Sequence, residues 1–190
     1  MFFVCPQPFL VYHMAMVYFA RHGETDANKQ GMFNGRGVDQ DLNKLGIEQA
    51  KKQAEQLAGI KFDAVYCSPQ KRAIQTCEIL VSGGKYQIDE RIAELICGDF
   101  DGKKKNLFRK IKFVRSAKKG KNGVELFKTF VGRNVDFCED VLKSQAGKNI
   151  LIVSHNGNAV AFDYYFKGKP KGYKFARTII ENGEVLTFDY

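Results

Sequence analysis

The stretch that decides the fold class is Met16-Val17-Tyr18-Phe19-Ala20-Arg21-His22-Gly23-Glu24-Thr25. Its first five residues are largely apolar and include β-branched and aromatic side chains, which is typical of a strand buried on both faces. A charged residue, a histidine and a glycine follow this strand at once. In open α/β sheets the carboxyl ends of the strands form the ligand crevice, so the stretch predicts a central strand that ends in a candidate site.

Two more short apolar runs, Ala64–Cys67 and Ile150–Ser154, predict further buried strands of the same sheet. Helical periodicity occupies much of the chain between these runs. Asn43 is expected to cap a helix that ends at Gly59. The apolar side chains expected on the buried face of this helix are Ile47, Ala50, Ala54, Leu57 and Ala58.

A second helix is predicted to open with Ser68 as cap and Pro69 in its first turn, and to continue to about Val81. Near the C-terminus, Asn182-Gly183 favours a two-residue hairpin turn between strands at 178–180 and 184–188. This hairpin would add an antiparallel edge to the sheet. The whole pattern predicts an α/β fold, a three-layer αβα sandwich with a mostly parallel sheet and an antiparallel edge.

Composition narrows the class of protein further. A chain of 190 residues usually forms one domain, so we expect residues 1–14 to be an N-terminal extension and residues 15–190 a single domain. No run of about 18 apolar residues occurs, so neither a spanning helix nor a membrane partner is expected. The five cysteines form no C-x-x-C pair, which argues against a disulfide framework and a zinc site and favours a cytoplasmic location.

The net charge of 30 − 21 = +9 favours an anionic ligand, and much of it comes from one segment. Residues 103–121 contain ten Lys and Arg and no Asp or Glu. Such a segment is either a solvated face or a surface that attracts anionic phosphoesters. A nucleic-acid partner is not expected, because Phe108 and Phe113 are the segment's only aromatic residues and no known reader motif is present.

Two of the three histidines share one setting, since His22 and His155 each follow an apolar strand within two residues. Taken singly, each is more readily explained as a structural histidine. Taken together, they are expected to face each other at the carboxyl edge of the sheet.

Five blocks of sequence, in the same order, resemble the histidine phosphatase superfamily, the phosphoglycerate mutase-like enzymes. Asn34-Gly35 stands where that family has Gln-Gly, and the start of the second predicted helix, at 68–76, resembles the family's S-P-L-x-R-A-x-Q-T run. The blocks are Arg21-His22-Gly23-Glu24-Thr25 with Asn28, Asp39-Gln40-Asp41-Leu42-Asn43 with Gly46, Ser68-Pro69-Gln70-Lys71-Arg72-Ala73-Ile74-Gln75-Thr76, Glu94 with Gly98-Asp99-Phe100-Asp101-Gly102, and Val153-Ser154-His155-Asn156-Gly157.

The resemblance implies a catalytic set for phosphoryl transfer. His22 would be the nucleophile that becomes a phosphohistidine, since a neutral imidazole is a competent nucleophile near pH 7. Arg21 and Arg72 would hold the phosphate through their planar guanidinium groups. His155 would stabilise the transition state as a cation. Further contacts to the substrate are expected from Asn28, Asn34, Gly35 and Asn156.

Glu94 is expected to protonate the leaving oxygen and then to take a proton from water. Glu90 and Asp99 are nearby rivals that chemistry alone does not exclude, and the spacing to Gly98 in the family pattern favours Glu94. Pairing with Arg72 is the structural alternative for this carboxylate. No metal and no cofactor are expected.

The function expected from these residues is hydrolysis of a small phosphorylated metabolite by a phosphomonoesterase. The chain lacks the E-R-x-Y-G pattern of the mutases after Glu94, which favours phosphatase over phosphoglycerate mutase. The alternatives are a cofactor-dependent phosphoglycerate mutase and a basic-patch protein that binds a phospholigand or nucleic acid. Asn34 in place of Gln and Asn156 in place of Gly are departures that are expected to alter substrate preference rather than catalysis.

Overall fold

Five strands form one sheet in the computed structural model, which describes residues 15–168 and 180–190. The strands are β1 (Met16–Arg21), β2 (Ala64–Cys67), β3 (Gln87–Ile88), β4 (Ile150–Ser154) and β5 (Val185–Asp189). Their order across the sheet is β3-β2-β4-β1-β5. The first four are parallel and β5 pairs antiparallel with β1, which confirms a mostly parallel sheet with an antiparallel edge.

Helices connect these strands and cover the sheet. In the described residues they are α1 (Asp26–Lys29), α2 (Lys44–Gln56), α3 (Lys71–Val81), α4 (Leu107–Lys119), α5 (Phe127–Phe137) and α6 (Asn156–Lys167). Short 3₁₀ turns at Glu90–Ile92 and Gly98–Phe100 lie between β3 and α4, and a π-helical turn at Cys138–Leu142 follows α5. None of the helices in the described residues is long and apolar enough to cross a membrane.

The buried side chains of the sheet divide into two layers, because successive residues of a strand point to opposite faces. Phe19 and Ile152 belong to a cluster that includes Phe162 of α6. Leu151 and Val153 belong to a second cluster on the other face, against α2 and α3. The sheet therefore lies between two helical layers, and the predicted three-layer αβα sandwich is confirmed.

The predicted strands and the first helix agree closely with the structure, with one change in the face that α2 buries. Asn43 caps α2 by accepting from the Gly46 N–H at 2.9 Å. Ile47 and Ala58, expected on the buried face, are exposed. Gln53 is buried instead, because its Nε2 donates to the carbonyls of Arg21 and Glu184 at 3.0 Å each and so joins the helix to β1 and to the residue before β5.

The predicted start of the second helix is wrong by two residues. α3 begins at Lys71, and Gln70 occupies the cap position without a side-chain hydrogen bond to the helix. The hydroxyl of Ser68 does not cap the helix, because it contacts His155 and Gln70.

The antiparallel edge comes from β5 pairing with β1. Asn182-Gly183 does form a turn, with Gly183 at φ +79° and the Glu184 N–H donating to Glu181 at 3.2 Å. Of the other predicted hairpin strand, Ile180 is described and is not in a strand, while positions 178 and 179 lie outside the described residues. The predicted extension at 1–14 also lies outside them.

Candidate active site

The strand ends of β1 and β4 bring the two histidines together, as predicted. Arg21 pairs with Ser154 across the two parallel strands, and the His22 N–H continues the ladder by donating to the Ser154 carbonyl at 3.0 Å. The rings of His22 and His155 follow directly, with their centroids 5.0 Å apart and their planes at 61°.

His22 is held in one tautomer. Its Nδ1 lies 2.6 Å from the Gly23 carbonyl oxygen, and because a carbonyl only accepts, Nδ1 must carry the hydrogen. Nε2 is therefore left with its lone pair. Burial, together with the cations of Arg72 and Arg21, holds the pKa of His22 well below its usual range. The imidazole is neutral near pH 7, which is the state that a nucleophile requires.

Arg72, which is fully buried, and Arg21, which is half-buried, each supply a guanidinium group with an unused donor. Arg72 is fully buried on α3, where Nη1 donates to the Val38 carbonyl at 2.6 Å and Nη2 to the Asn34 carbonyl at 3.3 Å. Arg21 donates from Nη1 to the Ile180 carbonyl. The Nε of each arginine is buried and has no partner among the described residues. Since a buried unpaired donor is costly, the pair is suited to an anion that satisfies both.

His155 is fully buried, and its Nε2 lies 2.7 Å from the hydroxyl oxygen of Ser68. Its Nδ1 has no partner among the described residues. Burial, followed by the charges of Arg72, His22 and Arg21, holds the pKa of His155 well below its usual range. His155 is therefore neutral in the ligand-free protein, and its cationic form with phosphate in the site stays a prediction.

Three asparagines lie in the wall of the pocket, as expected from the sequence. Asn28 forms a capping box with Thr25 at the start of α1. Asn34 donates from Nδ2 to the Thr25 hydroxyl oxygen at 3.0 Å. Asn156 accepts from the Ile180 N–H at 3.1 Å, at the first residue of α6. Each amide is thus oriented by a second contact, and the start of α6 adds a helix N-terminus that favours anions.

Two of the predicted substrate contacts, Gly35 and Arg72, are not among the residues that line this pocket. The Gly35 N–H donates to Asp101 Oδ1 at 2.9 Å and the Gly35 carbonyl accepts from Arg72 Nη2 at 3.4 Å. A side chain at this position would collide with Asp101 and Cys97. Gly35 therefore shapes the loop that orients Arg72.

Glu94 is the one of the three candidate acids that lines the pocket. Its Oε1 accepts from the Leu95 N–H at 2.9 Å, and a Cβ at Gly157 would collide with the same oxygen. Glu90 instead pairs with Arg36, and Asp99 lines a different groove. Burial lowers the pKa of Arg72 and the charge of Glu94 raises it, but no ion pair joins the two among the described residues, because the Arg72 guanidinium donates to backbone carbonyls.

The pocket above His22 has a volume of about 190 Å³, which suits a small ligand. Lys105, from the basic segment at 103–121, lies in its wall, with Nζ 5.8 Å from the ring centroid of Phe33. A larger groove of about 600 Å³ lies between the end of α4 and α5 and contains none of the predicted site residues. The described residues contain no group of three or more His, Cys, Asp or Glu side chains that could hold a metal ion.

Two supporting interactions gave no signal in the sequence. Arg133 of α5 forms a bidentate pair with Glu125 at 2.9 and 3.1 Å and donates to the Glu94 carbonyl at 3.1 Å. Asn182 donates to the His22 carbonyl at 3.0 Å. Arg133 is 39 residues from Glu94 and Asn182 is 160 residues from His22, so only the folded structure brings these pairs together. These hydrogen bonds fix the backbone at Glu94 and His22.

The two neutral histidines predict how stability depends on pH. The unfolded chain takes up protons below about pH 6.5, whereas the folded protein resists protonation at His22 and His155. The free energy of unfolding should therefore fall as the pH drops from about 6.5 to 5.5, by up to roughly 1.4 kcal/mol per pH unit for each histidine. Urea unfolding of the wild type and of His22→Asn and His155→Asn checks this, since each variant should have a shallower slope. An equal slope in all three proteins would contradict it.

Known proteins resemble this chain both in sequence and in fold. The profile of the histidine phosphatase superfamily (branch 1) matches residues 17–190. A Hydrogenobacter thermophilus protein, provisionally named phosphoserine phosphatase 2, is 34% identical over 154 residues, 76% of this chain and 74% of that protein. A 2,3-bisphosphoglycerate-dependent phosphoglycerate mutase from Thermoplasma acidophilum is 33% identical over 97 residues, 50% of this chain and 48% of that protein. The alpha-ribazole phosphatase of Shigella flexneri superimposes with a TM-score of 0.78 at 27% identity, covering 92% of this chain and 90% of that chain.

Proposed function

The chain belongs to the histidine phosphatase superfamily, and from this we propose that it hydrolyses small phosphomonoesters through a phosphohistidine at His22. The observation that carries the proposal is the geometry of His22. Its Nδ1–H is tied to the Gly23 carbonyl, and its free Nε2 belongs to a pocket lined by Arg21, with the unpaired Nε of Arg72 buried nearby.

In the first proposed step, Nε2 of His22 attacks phosphorus and the bond from phosphorus to the ester oxygen breaks. Glu94 gives its proton to that leaving oxygen. In the second step, water attacks the phosphohistidine, the N–P bond breaks, and Glu94 takes the proton from water. Arg21 and Arg72 hold the equatorial oxygens throughout, because phosphoryl transfer depends mainly on positioning and on stabilisation of charge. These steps require neither a metal nor a cofactor.

The substrate we propose is a small phosphorylated metabolite. The pocket volume of about 190 Å³ supports this size, and the asparagines at positions 28, 34 and 156 offer amide contacts around the phosphate. We also propose a reducing compartment such as the cytoplasm, because the cysteines at positions 67, 77, 97 and 138 are buried free thiols.

A turnover screen of the purified chain tests the proposal. The panel contains p-nitrophenyl phosphate, phosphoserine and alpha-ribazole phosphate, the last two taken from the names of relatives. Release of inorganic phosphate in the presence of EDTA is the expected result. No release from any member of the panel would contradict the proposed function.

A mutase is the second candidate function, because one of the relatives, which matches 50% of this chain, is a phosphoglycerate mutase. The same preparation should be assayed for interconversion of 2- and 3-phosphoglycerate, with and without added 2,3-bisphosphoglycerate. Interconversion faster than phosphate release would favour the mutase.

The position of Lys105 predicts that the enzyme prefers substrates with more than one negative charge. Of the basic segment at 103–121, Lys105 and Phe113 lie in the pocket wall, and Lys105 is the charged one. Lys105→Gln should lower kcat/KM about 3- to 10-fold for a bisphosphate and less for a monophosphate. The difference should fade between 0.1 and 1 M salt, as the Debye length falls from about 10 to about 3 Å. Lys118→Gln, in the same segment but outside this pocket, is the matched control. If kcat/KM is the same for both variants on both substrates, the segment is only a solvated face.

A further inference from the structure

A line of hydrogen bonds runs through Gln70 from Glu94, in the wall of the pocket, to His155, whose ring lies beside that of His22. The Glu94 N–H lies 3.0 Å from Gln70 Oε1, and the Ser68 hydroxyl oxygen lies 2.8 Å from the same atom. On its other side, Ser68 lies 2.7 Å from Nε2 of His155. Ser68, Gln70 and His155 are all buried, so water does not replace these contacts.

The direction of each hydrogen bond in this line follows from its fixed end. A backbone N–H only donates, so the Gln70 atom that faces Glu94 must be the amide oxygen. Ser68 has one hydroxyl hydrogen, and it must point at this oxygen, because otherwise two acceptors would lie 2.8 Å apart. The Ser68 oxygen is then left to accept, and Nε2 of His155 must carry a hydrogen.

A neutral imidazole has one hydrogen, so Nδ1 of His155 carries only a lone pair in the ligand-free protein. This nitrogen is buried and has no partner among the described residues. It belongs to a ring next to that of His22, at the place where a phosphate would bind. A bare lone pair repels an anionic phosphate oxygen, whereas a protonated Nδ1 donates to it.

We propose that Gln70 is a positioning residue that fixes His155 in its Nε2–H tautomer, so that binding of a phosphate dianion takes up one proton from solvent onto Nδ1. The proposal rests on the proposed function only in that the site must bind phosphate. The charged or titratable groups around His155 are Arg72, His22, Arg21 and Arg133, with Glu94 in the wall of the same pocket. Burial, followed by the positive charge of the arginines, keeps His155 neutral when the pocket is free, and a dianion offsets that charge.

The residue at position 70 decides whether this coupling exists. The family pattern S-P-L-x-R has Leu where this chain has Gln70, and a Leu side chain accepts no hydrogen bond. With Leu, the Ser68 hydrogen is free to donate to Nε2, and the single hydrogen of a neutral His155 then lies on Nδ1. Phosphate would bind to such a site without taking up a proton.

Calorimetry of inorganic phosphate binding to the full chain at pH 8, in two buffers of different ionisation enthalpy, counts the protons. The wild type should take up about one proton per phosphate, and Gln70→Leu close to none. Gln75→Leu is the matched control, because Gln75 lies on α3, the helix that follows directly after the cap residue Gln70, and contacts Leu42 and Asp41 instead. It should behave as the wild type. Zero uptake by the wild type, equal uptake by Gln70→Leu, or a chain that binds no phosphate would overturn the proposal.

A second measurement separates this proposal from the proposed function. Nitrogen-15 spectra of the ligand-free protein, which has three histidines, should assign the hydrogen of His155 to Nε2 in the wild type and to Nδ1 in Gln70→Leu. Phosphate should convert the wild-type ring to the doubly protonated form. A ligand-free wild type with Nδ1–H refutes the role of Gln70 even if phosphomonoesters are hydrolysed. Conversely, the expected spectra without turnover would refute only the phosphatase function.

Discussion

His22→Ala should lower the turnover of p-nitrophenyl phosphate by roughly 10⁴- to 10⁶-fold, the scale seen when a covalent nucleophile is removed. The reason is specific to this site, because His22 is the one histidine of the described residues that lines the pocket, beside Arg21, and its Nε2 has a free lone pair. Water would have to attack the phosphate directly, in a pocket that still holds the anion but lacks the covalent route.

Rapid quench with phosphorus-32-labelled substrate measures the same step directly. The wild type should carry an acid-labile label and His22→Ala should carry none. His13→Ala is the control for loss of a histidine, since the sequence gives His13 no strand-end setting, and it should be labelled as the wild type is. A label that persists in His22→Ala, or a wild type that is never labelled, removes His22 from the nucleophile role.

The elements that the sequence predicts well are those whose local signals agree with their tertiary surroundings. β1, β2 and β4 are short apolar runs buried on both faces of a central sheet, so pattern and environment coincide. The positions of His22 and His155 follow from those strands, because parallel neighbours end at the same edge. Strand β3 has only two residues, both exposed, and so carries no hydrophobic pattern that could reveal it.

Other features could not be predicted from the sequence, because a contact with a residue distant in the chain overrides the local preference. Ser68 precedes a proline and so has the local signature of a helix cap. Its hydroxyl instead forms a hydrogen bond with the buried ring of His155. Gln53 is polar and still enters the core, since it satisfies carbonyls on two neighbouring segments. In both cases a buried polar contact outweighs a pattern of a few residues, and that contact exists only after folding.

The proposed proton transfer by Glu94 predicts a loss of activity that depends on the leaving group. An alkoxide is a poor leaving group without a proton, whereas the phenoxide of p-nitrophenyl phosphate scarcely needs one. Glu94→Gln should therefore lose about 10²- to 10⁴-fold in kcat on an alkyl phosphate and much less on p-nitrophenyl phosphate. Because Gln keeps a side-chain oxygen that accepts from the Leu95 N–H, the variant should retain the wall of the pocket.

Glu90→Gln and Asp99→Asn are the matched controls for Glu94→Gln, since each removes a nearby carboxylate that lies outside the pocket. Both should keep wild-type kcat on both substrates. If Asp99→Asn or Glu90→Gln shows the dependence on leaving group and Glu94→Gln does not, that residue is the acid. If Glu94→Gln loses activity equally on both substrates, the carboxylate orients the phosphate or shapes the pocket, because only proton transfer makes the loss depend on the basicity of the departing oxygen.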